Sequence, residues 1–380
     1  MTKASTVFAA LAAAMVAAVS AAAPTEGERS GAIIRLLNSR AAGSPKSFVE
    51  AAEIVAEDAA KGRPLQQYVI ALMAEDPMLP QSARIDAETR GRYLDASRGR
   101  IRDLAERRGN SLAWYLLSLE NNDISMLRKA SDGGNVQALN AWGTLSLTRA
   151  LTDPSATKAD IDLAVERSFS CFSRAAAEKD PNGMYNLGMC YIHGYGCEPN
   201  PLKALDCFRS AAEAGHAEAI NNIGGLYRDG IAVERDLYSA ARWFAKSAAT
   251  GNAYGELNYA LALQRGEGVE KNLVRAAELM LASARQGAPE AMNAYAEMLK
   301  SGETGAGGDE DARSAIAWFR RAASAGLPAA MENLASCHEL GYGGVERSEK
   351  IATVWKIRSR AARGDRNAMA WLSQNGYSLR

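Results

Sequence analysis

The sequence predicts an all-α fold, a right-handed α-solenoid built from antiparallel helix pairs. Three observations predict it. Glycines recur at a nearly fixed step, helix start and stop signals recur in phase with them, and a small residue stands beside a large one at the same place in every copy. A plain alanine-rich bundle would need no such matching rows. The stretch "AAEAGHAEAINNIGGLYRDG" (211–230) shows the consequence. Alanine and glycine occupy positions where leucine would bury more surface, because there helices must approach closely.

The anchor of each copy is a glycine. Gly251 and Gly287 follow Gly215 at steps of 36, and Gly326 and Gly364 follow at 39 and 38. Lys179 holds the same place 36 residues before Gly215, and weaker copies begin at Gly134, Gly109 and Gly62. One residue after the anchor stand Asn110, Asn135, Asp180, Asn252 and Asp365, good helix N-caps. Two after it stand Pro64, Pro181, Pro289 and Pro328, where proline is pre-set for a first turn. A first helix, A, therefore begins in every copy. Within it Ala71, Ser118, Gly143, Gly188, Gly224, Ala260, Ala296, Ala335 and Ser373 form the small row. Each is preceded by a large residue such as Ile70, Trp142 or Ile223.

Helix A is expected to stop at Gly194, Gly230, Gly266, Gly302 and Gly341, which suit a left-handed C-terminal cap. A second helix, B, is expected from the N-caps Asn200, Asp236, Asn272, Asp311 and Ser348. Cys207, Trp243, Leu279, Trp318 and Trp355 are its expected buried knob. One helix pair cannot bury both its faces, and a stack of pairs can.

Two repeat segments, "AAEAGHAEAINNIGGLYRDGIAVERDLYSAARWFAKSAATGNA" and "NLGMCYIHGYGCEPNPLKALDCF", together with "NLASCHELGYGG", resemble the SEL-one-like repeat, one of the tetratricopeptide-like solenoids. The likeness is specific from about residue 161 to 376 and degenerate from about 44 to 161. It implies a non-catalytic adaptor that binds a protein or peptide on its concave side, and it supplies no catalytic residues to carry over. A cysteine-rich branch of the family pins each repeat with a disulfide, and this sequence lacks that regular pairing.

The amino terminus differs from the rest. Lys3 precedes the uncharged run "ASTVFAALAAAMVAAVSAAAPT", which ends in small residues. This is a secretory signal pattern, with cleavage expected after Ala21 or Ala22. The expected organisation is a signal peptide at 1–22, a linker at 23–43, degenerate repeats at 44–160 and regular repeats at 161–380. Export to the periplasm or the medium follows, with no transmembrane segment in the mature chain.

Composition limits the chemistry. The 44 basic and 44 acidic residues among 380 cancel, so no long-range field favours nucleic acid or an anionic membrane. No phosphate-cradling loop, H-E-x-x-H or C-x-x-C occurs, and His193, His216 and His338 lie in different repeats. Neither a cofactor nor a metal is expected. Cys337, His338 and Glu339 adjoin without an evident third orienting group, and a helix-end polar residue over a buried thiol accounts for them.

Two groups of residues leave alternatives open. Cys190 and Cys197 fall in one repeat and could pair as a disulfide in an exported protein, or remain free thiols. Asn186, Asn222, Asn258 and Asn333, each seven residues after its anchor, are expected on the inner side of the A helices. There they would either bind a partner's backbone or bond to the neighbouring repeat and set register. The leading function is an exported interaction scaffold. An envelope enzyme or cell-wall-fragment binder, and a cytoplasmic regulatory adaptor, are the alternatives. The inserts at 77–100, 148–160 and 302–311 read as connector loops or binding loops.

Overall fold

The computed structural model describes residues 45–76, 79–304 and 308–378. The expected signal peptide (1–22) and linker (23–43) lie outside the described residues, as does part of the 302–311 loop. The described chain is all-helical, an α-solenoid of successively packed helices, and it divides into two compact units at Ala219/Ile220.

In the first unit the helices are α1 (Pro45–Ala60), α2 (Pro64–Met73), α3 (Ala87–Arg108), α4 (Ser111–Asn121), α5 (Ile124–Asp132), α6 (Val136–Thr152), α7 (Lys158–Ala177), α8 (Pro181–His193) and α9 (Pro201–Glu213). The chain passes from the first unit to the second within α10 (Ala217–Asp229). The second continues with α11 (Leu237–Ala249), α12 (Ala253–Arg265), α13 (Leu273–Arg285), α14 (Pro289–Ser301), α15 (Asp309–Ser324), α16 (Pro328–Leu340), α17 (Glu349–Ala362) and α18 (Arg366–Gln374).

All nine anchors precede an A helix by two residues, and all nine have positive φ, from 59° at Lys179 to 101° at Gly287. The reason is the same in each regular copy. The chain leaves helix B through a left-handed residue whose N–H returns to a carbonyl of the last turn, as Gly215 does to Ala212 and Gly326 to Ala323. Asn110, Asn135, Asp180, Asn252 and Asp365 then cap the next helix through side-chain oxygens that accept backbone N–H groups. Gly194, Gly230, Gly266, Gly302 and Gly341 end the A helices with φ between 69° and 76°.

The seam differs from expectation by one residue. Cys207, Trp243, Trp318 and Trp355 are only half-buried, although Leu279 is buried. The knobs are the next residues, Phe208, Phe244, Met280 and Phe319, all at most 3% exposed. A Cβ added at Gly143, Gly188 or Gly224 would stand 2.6–2.7 Å from the ring of Phe172, Phe208 or Phe244, so the small row exists to receive these rings. The indoles sit one step around the helix, where their edges stay wet. Lys246, Arg321 and Arg358 lie 5.0, 4.8 and 4.6 Å over Trp243, Trp318 and Trp355.

Helix B of the fourth regular pair also starts earlier than expected. Asp311 lies inside α15, not at its N-cap, and Gly308 occupies the cap. Asp309, Glu310 and Asp311 fill the first turn, where acidic side chains meet the positive end of the helix dipole.

Candidate functional site

The four sequence-selected asparagines lie on A helices and are half-buried. Three make bonds that read as a ladder. The Asn258 amide donates to Asn221 Oδ1 at 2.8 Å, that of Asn333 to Asn293 Oδ1 at 2.9 Å, and that of Asn186 to Asn140 Oδ1 at 3.5 Å. In each case the residue seven after one anchor reaches the residue six after the preceding anchor. Asn222 is also hydrogen-bonded or otherwise engaged. Asn333 donates to Glu297 too, at 2.8 Å, and Asn293 donates to the same carboxylate at 2.9 Å.

The ladder continues into a cap at its amino-terminal end. Asn140 donates to Asp180 Oδ2 at 2.8 Å, and the same carboxylate oxygen accepts from the Gly183 N–H that begins α8. Burial raises the Asp180 carboxyl to about 6, against the opposing pull of these donors. Each of the three bonds joins the A helices of two consecutive copies and fixes how that pair aligns. Unpaired amides there would carry the full desolvation cost.

The turn between helices A and B supplies a contact that spacing alone did not reveal. Gly196, Gly268 and Gly343, all at positive φ, press against the backbone of the preceding B helix. A Cβ at Gly196 would meet the Val165 carbonyl oxygen at 2.5 Å, and one at Gly268 would clash with the Leu237 carbonyl. The recurrent "GYG" and "GEG" strings were the available signal.

The other singled-out residues are placed without convergence. Cys190 and Cys197 are free thiols, and Cys197 Sγ lies 3.6 Å from the Cys190 carbonyl oxygen. Burial pushes the Cys190 thiol up to about 12. His338 Nδ1 meets the Glu346 carbonyl oxygen at 2.9 Å, while Glu339 pairs with Lys356 at 2.6 Å, so the Cys337–His338–Glu339 run is not joined into one site. His216 caps α10, its Nδ1 accepting from the Ala219 N–H, and stacks on Tyr185 at 4.5 Å. No helix among the described residues is long and apolar enough to cross a membrane, and no His, Cys, Asp and Glu group among them is arranged to hold a metal ion.

The family model for the Sel1 repeat matches residues 181–216, 217–252, 253–287, 289–327 and 328–355, each beginning at or within a residue of an A helix. Residues 181–355 carry five Sel1 repeats. Sel1 repeat proteins generally mediate protein–protein interaction. The solved structure of a protective antigen of uropathogenic Escherichia coli strains, described as displaying an SLR fold, is similar at 25% identity and a TM-score of 0.52. That match covers 84% of this chain and 66% of the other, so this chain spans just under two thirds of that protein. A Sel1 repeat protein from Oxalobacter formigenes shares the fold at 23% identity and a TM-score of 0.50, over 67% of this chain and 93% of its own. A comparison with curated proteins returns no match.

Proposed function

We propose that this Sel1 repeat protein is an exported, non-catalytic scaffold that binds a protein or peptide along the concave, A-helix side of its array. The observation that carries the reading is the run of five Sel1 repeats from residue 181 to 355. The secretory pattern of residues 1–22 supports export, and the protective antigen among its structural neighbours is in keeping with it. Asn186, Asn222, Asn258 and Asn333 lie on the partner side, where the ladder engages one hydrogen of the Asn186 and Asn258 amides. An amide edge suits a partner's main chain, because it offers both a donor and an acceptor.

Site-directed photo-crosslinking in the native host tests the face. Probes at positions 186 and 258 should each capture one discrete protein, and probes at Arg242 and Arg320 on the B helices should not. Equal adducts from both faces, or none from the A helices, would remove the assignment. Sequencing the mature amino terminus tests export: a start at Ala22 or Ala23 supports it, and an intact Met1 contradicts it.

A further inference from the structure

The insert that lengthens the step between Gly134 and Lys179 borders a cavity. Together with facing sides of α6 and α7 and the first residue of α5, it encloses ≈ 380 Å³, near the small end of ligand cavities. One wall is apolar: Trp142 and Leu145 from α6, Leu163 from α7, and Ile124. Leu163 and Ile124 are 54% and 46% exposed, so this wall presents apolar surface to solvent.

The polar lining is what distinguishes this cavity from a packing gap. Arg149 and Arg167 both line it, and neither forms an ion pair among the described residues. The Arg167 guanidinium stands 5.6 Å over the Trp142 ring, which steadies it on the cavity wall. Ser146, also in the lining, is on α6 one turn before Arg149. It is 9% exposed, and its buried hydroxyl has no hydrogen-bond partner among the described residues. An orphaned buried hydroxyl costs free energy unless something fills its valence. Asp153 and Asp160 also line the cavity, but they are committed: Asp153 accepts from the Ser155 N–H and hydroxyl, and Asp160 from those of Thr157. Those donors are neutral, so both carboxylates stay charged and balance the two guanidinium groups, and the side-chain donors of Arg149, Arg167 and Ser146 in the lining make no hydrogen bond among the described residues.

We infer that this cavity takes the carboxy-terminal residue of a partner protein. The main-chain carboxylate lies on Arg149 and Arg167 with the Ser146 hydroxyl donating to it, and an apolar side chain lies on Trp142, Leu145 and Leu163. A terminal residue is the natural match, because it carries a carboxylate and an apolar side chain on the same carbon. Planar guanidinium groups suit a carboxylate. The inference rests on the scaffold reading, and it places a second contact on α6, the helix that also carries Asn140 of the ladder.

Fluorescence polarisation on the full chain tests it, with dye-labelled pentapeptides that end in Leu, Phe or Val. Each is made as the free acid and as the carboxamide, beside an amide-capped peptide with an internal Glu. The free acids should bind and the amides should lose about tenfold or more, as should R149Q and R167Q against the acids. R149Q lies on an exposed side chain and should leave the thermal midpoint unchanged, and S146A gives a second reading with a smaller loss. Equal binding of acid and amide, an internal-Glu peptide binding as tightly as the acids, or no saturation by any acid up to about 1 mM would overturn the assignment. Photo-crosslinks from positions 186 and 258 that persist when every peptide fails would leave the scaffold standing without this site.

Discussion

The irregular copies of the first unit and the regular copies of the second hold the same topology by different means. Between residues 51 and 141 the core sets nine alanines among large side chains, of which Tyr68, Ile70, Leu79, Ile101, Tyr115 and Leu116 are all below 3% exposure. From Ala253 to Ala291 the buried set is largely Ala260, Ala276, Ala284, Ala288 and Ala291, with leucines and Met280 between them. Helix lengths follow. The first unit has A and B helices from 9 to 22 residues, whereas α10 to α14 are each 13 and α15 to α18 run from 9 to 16. Bulk tolerates variation in spacing, because large side chains fill what irregular geometry leaves. Close approach does not, because its contacts are set by backbone, and it therefore imposes a strict period on the sequence.

The largest expected effect breaks close approach where no side chain can yield. Gly268→Ala puts a methyl against the Leu237 carbonyl and forces alanine into a left-handed backbone. It should cost about 3 kcal/mol, the sum of an overpacking and a conformational cost. Gly188→Ala meets a ring instead of backbone, 2.6 Å from Phe208, and should cost about 1–3 kcal/mol. Phe208→Met in the same chain should recover most of that, since the alanine copy at Ala260 stands with Met280. Chemical denaturation of the single and double variants measures both. Additive losses would mean that the glycine and the ring are not complementary.

This contrast also explains what could be read without coordinates. Period, caps and left-handed anchors were all legible because they are local: Asn252 or Gly266 does its work within a turn of itself. The knob row was displaced by one residue because tryptophan and phenylalanine both read as apolar, and only the packing separates a wet indole from a dry ring. The asparagine row was visible as a period, but its partners, Asn140, Asn221 and Asn293, lie 37 to 46 residues away and on a different row. The orphaned Ser146 could not be found from sequence, since a serine in a helix carries no sign of what it lacks.

A smaller effect tests whether the asparagine ladder adds to the regular copies what bulk adds to the first. Asn258→Ala leaves Asn221 Oδ1 without its donor and should cost about 1 kcal/mol. The rung inside the first unit ends in a cap that titrates. Burial holds the Asp180 carboxyl above its unfolded value, so the native state keeps a proton that the unfolded chain has released. Stability should therefore fall as pH rises from about 4 to about 6 and level off above that. In Asp180→Asn this segment of the stability–pH curve should flatten. An unchanged slope would place the titrating group elsewhere.

The smallest effect returns to the anchors. Eight of the nine are glycine, and Lys179 adopts the same left-handed backbone at φ 59° with the same closing bonds: its N–H reaches the Ala176 carbonyl and the Asp180 N–H reaches that of Ala175. The Lys179 side chain is exposed. Lys179→Gly thus changes no contact in the core and removes only the strain of a Cβ in the left-handed region, partly offset by the greater freedom of glycine in the unfolded chain. A gain of about 0.5–1 kcal/mol follows, read as a small rise in the thermal midpoint. Gly251→Ala, at φ 78° and with open space around the added methyl, should lose a similar amount for the same reason. If both substitutions destabilised the chain, the lysine would be holding the junction between irregular and regular copies by its side chain, and the two regions would differ at their boundary as well as in their cores.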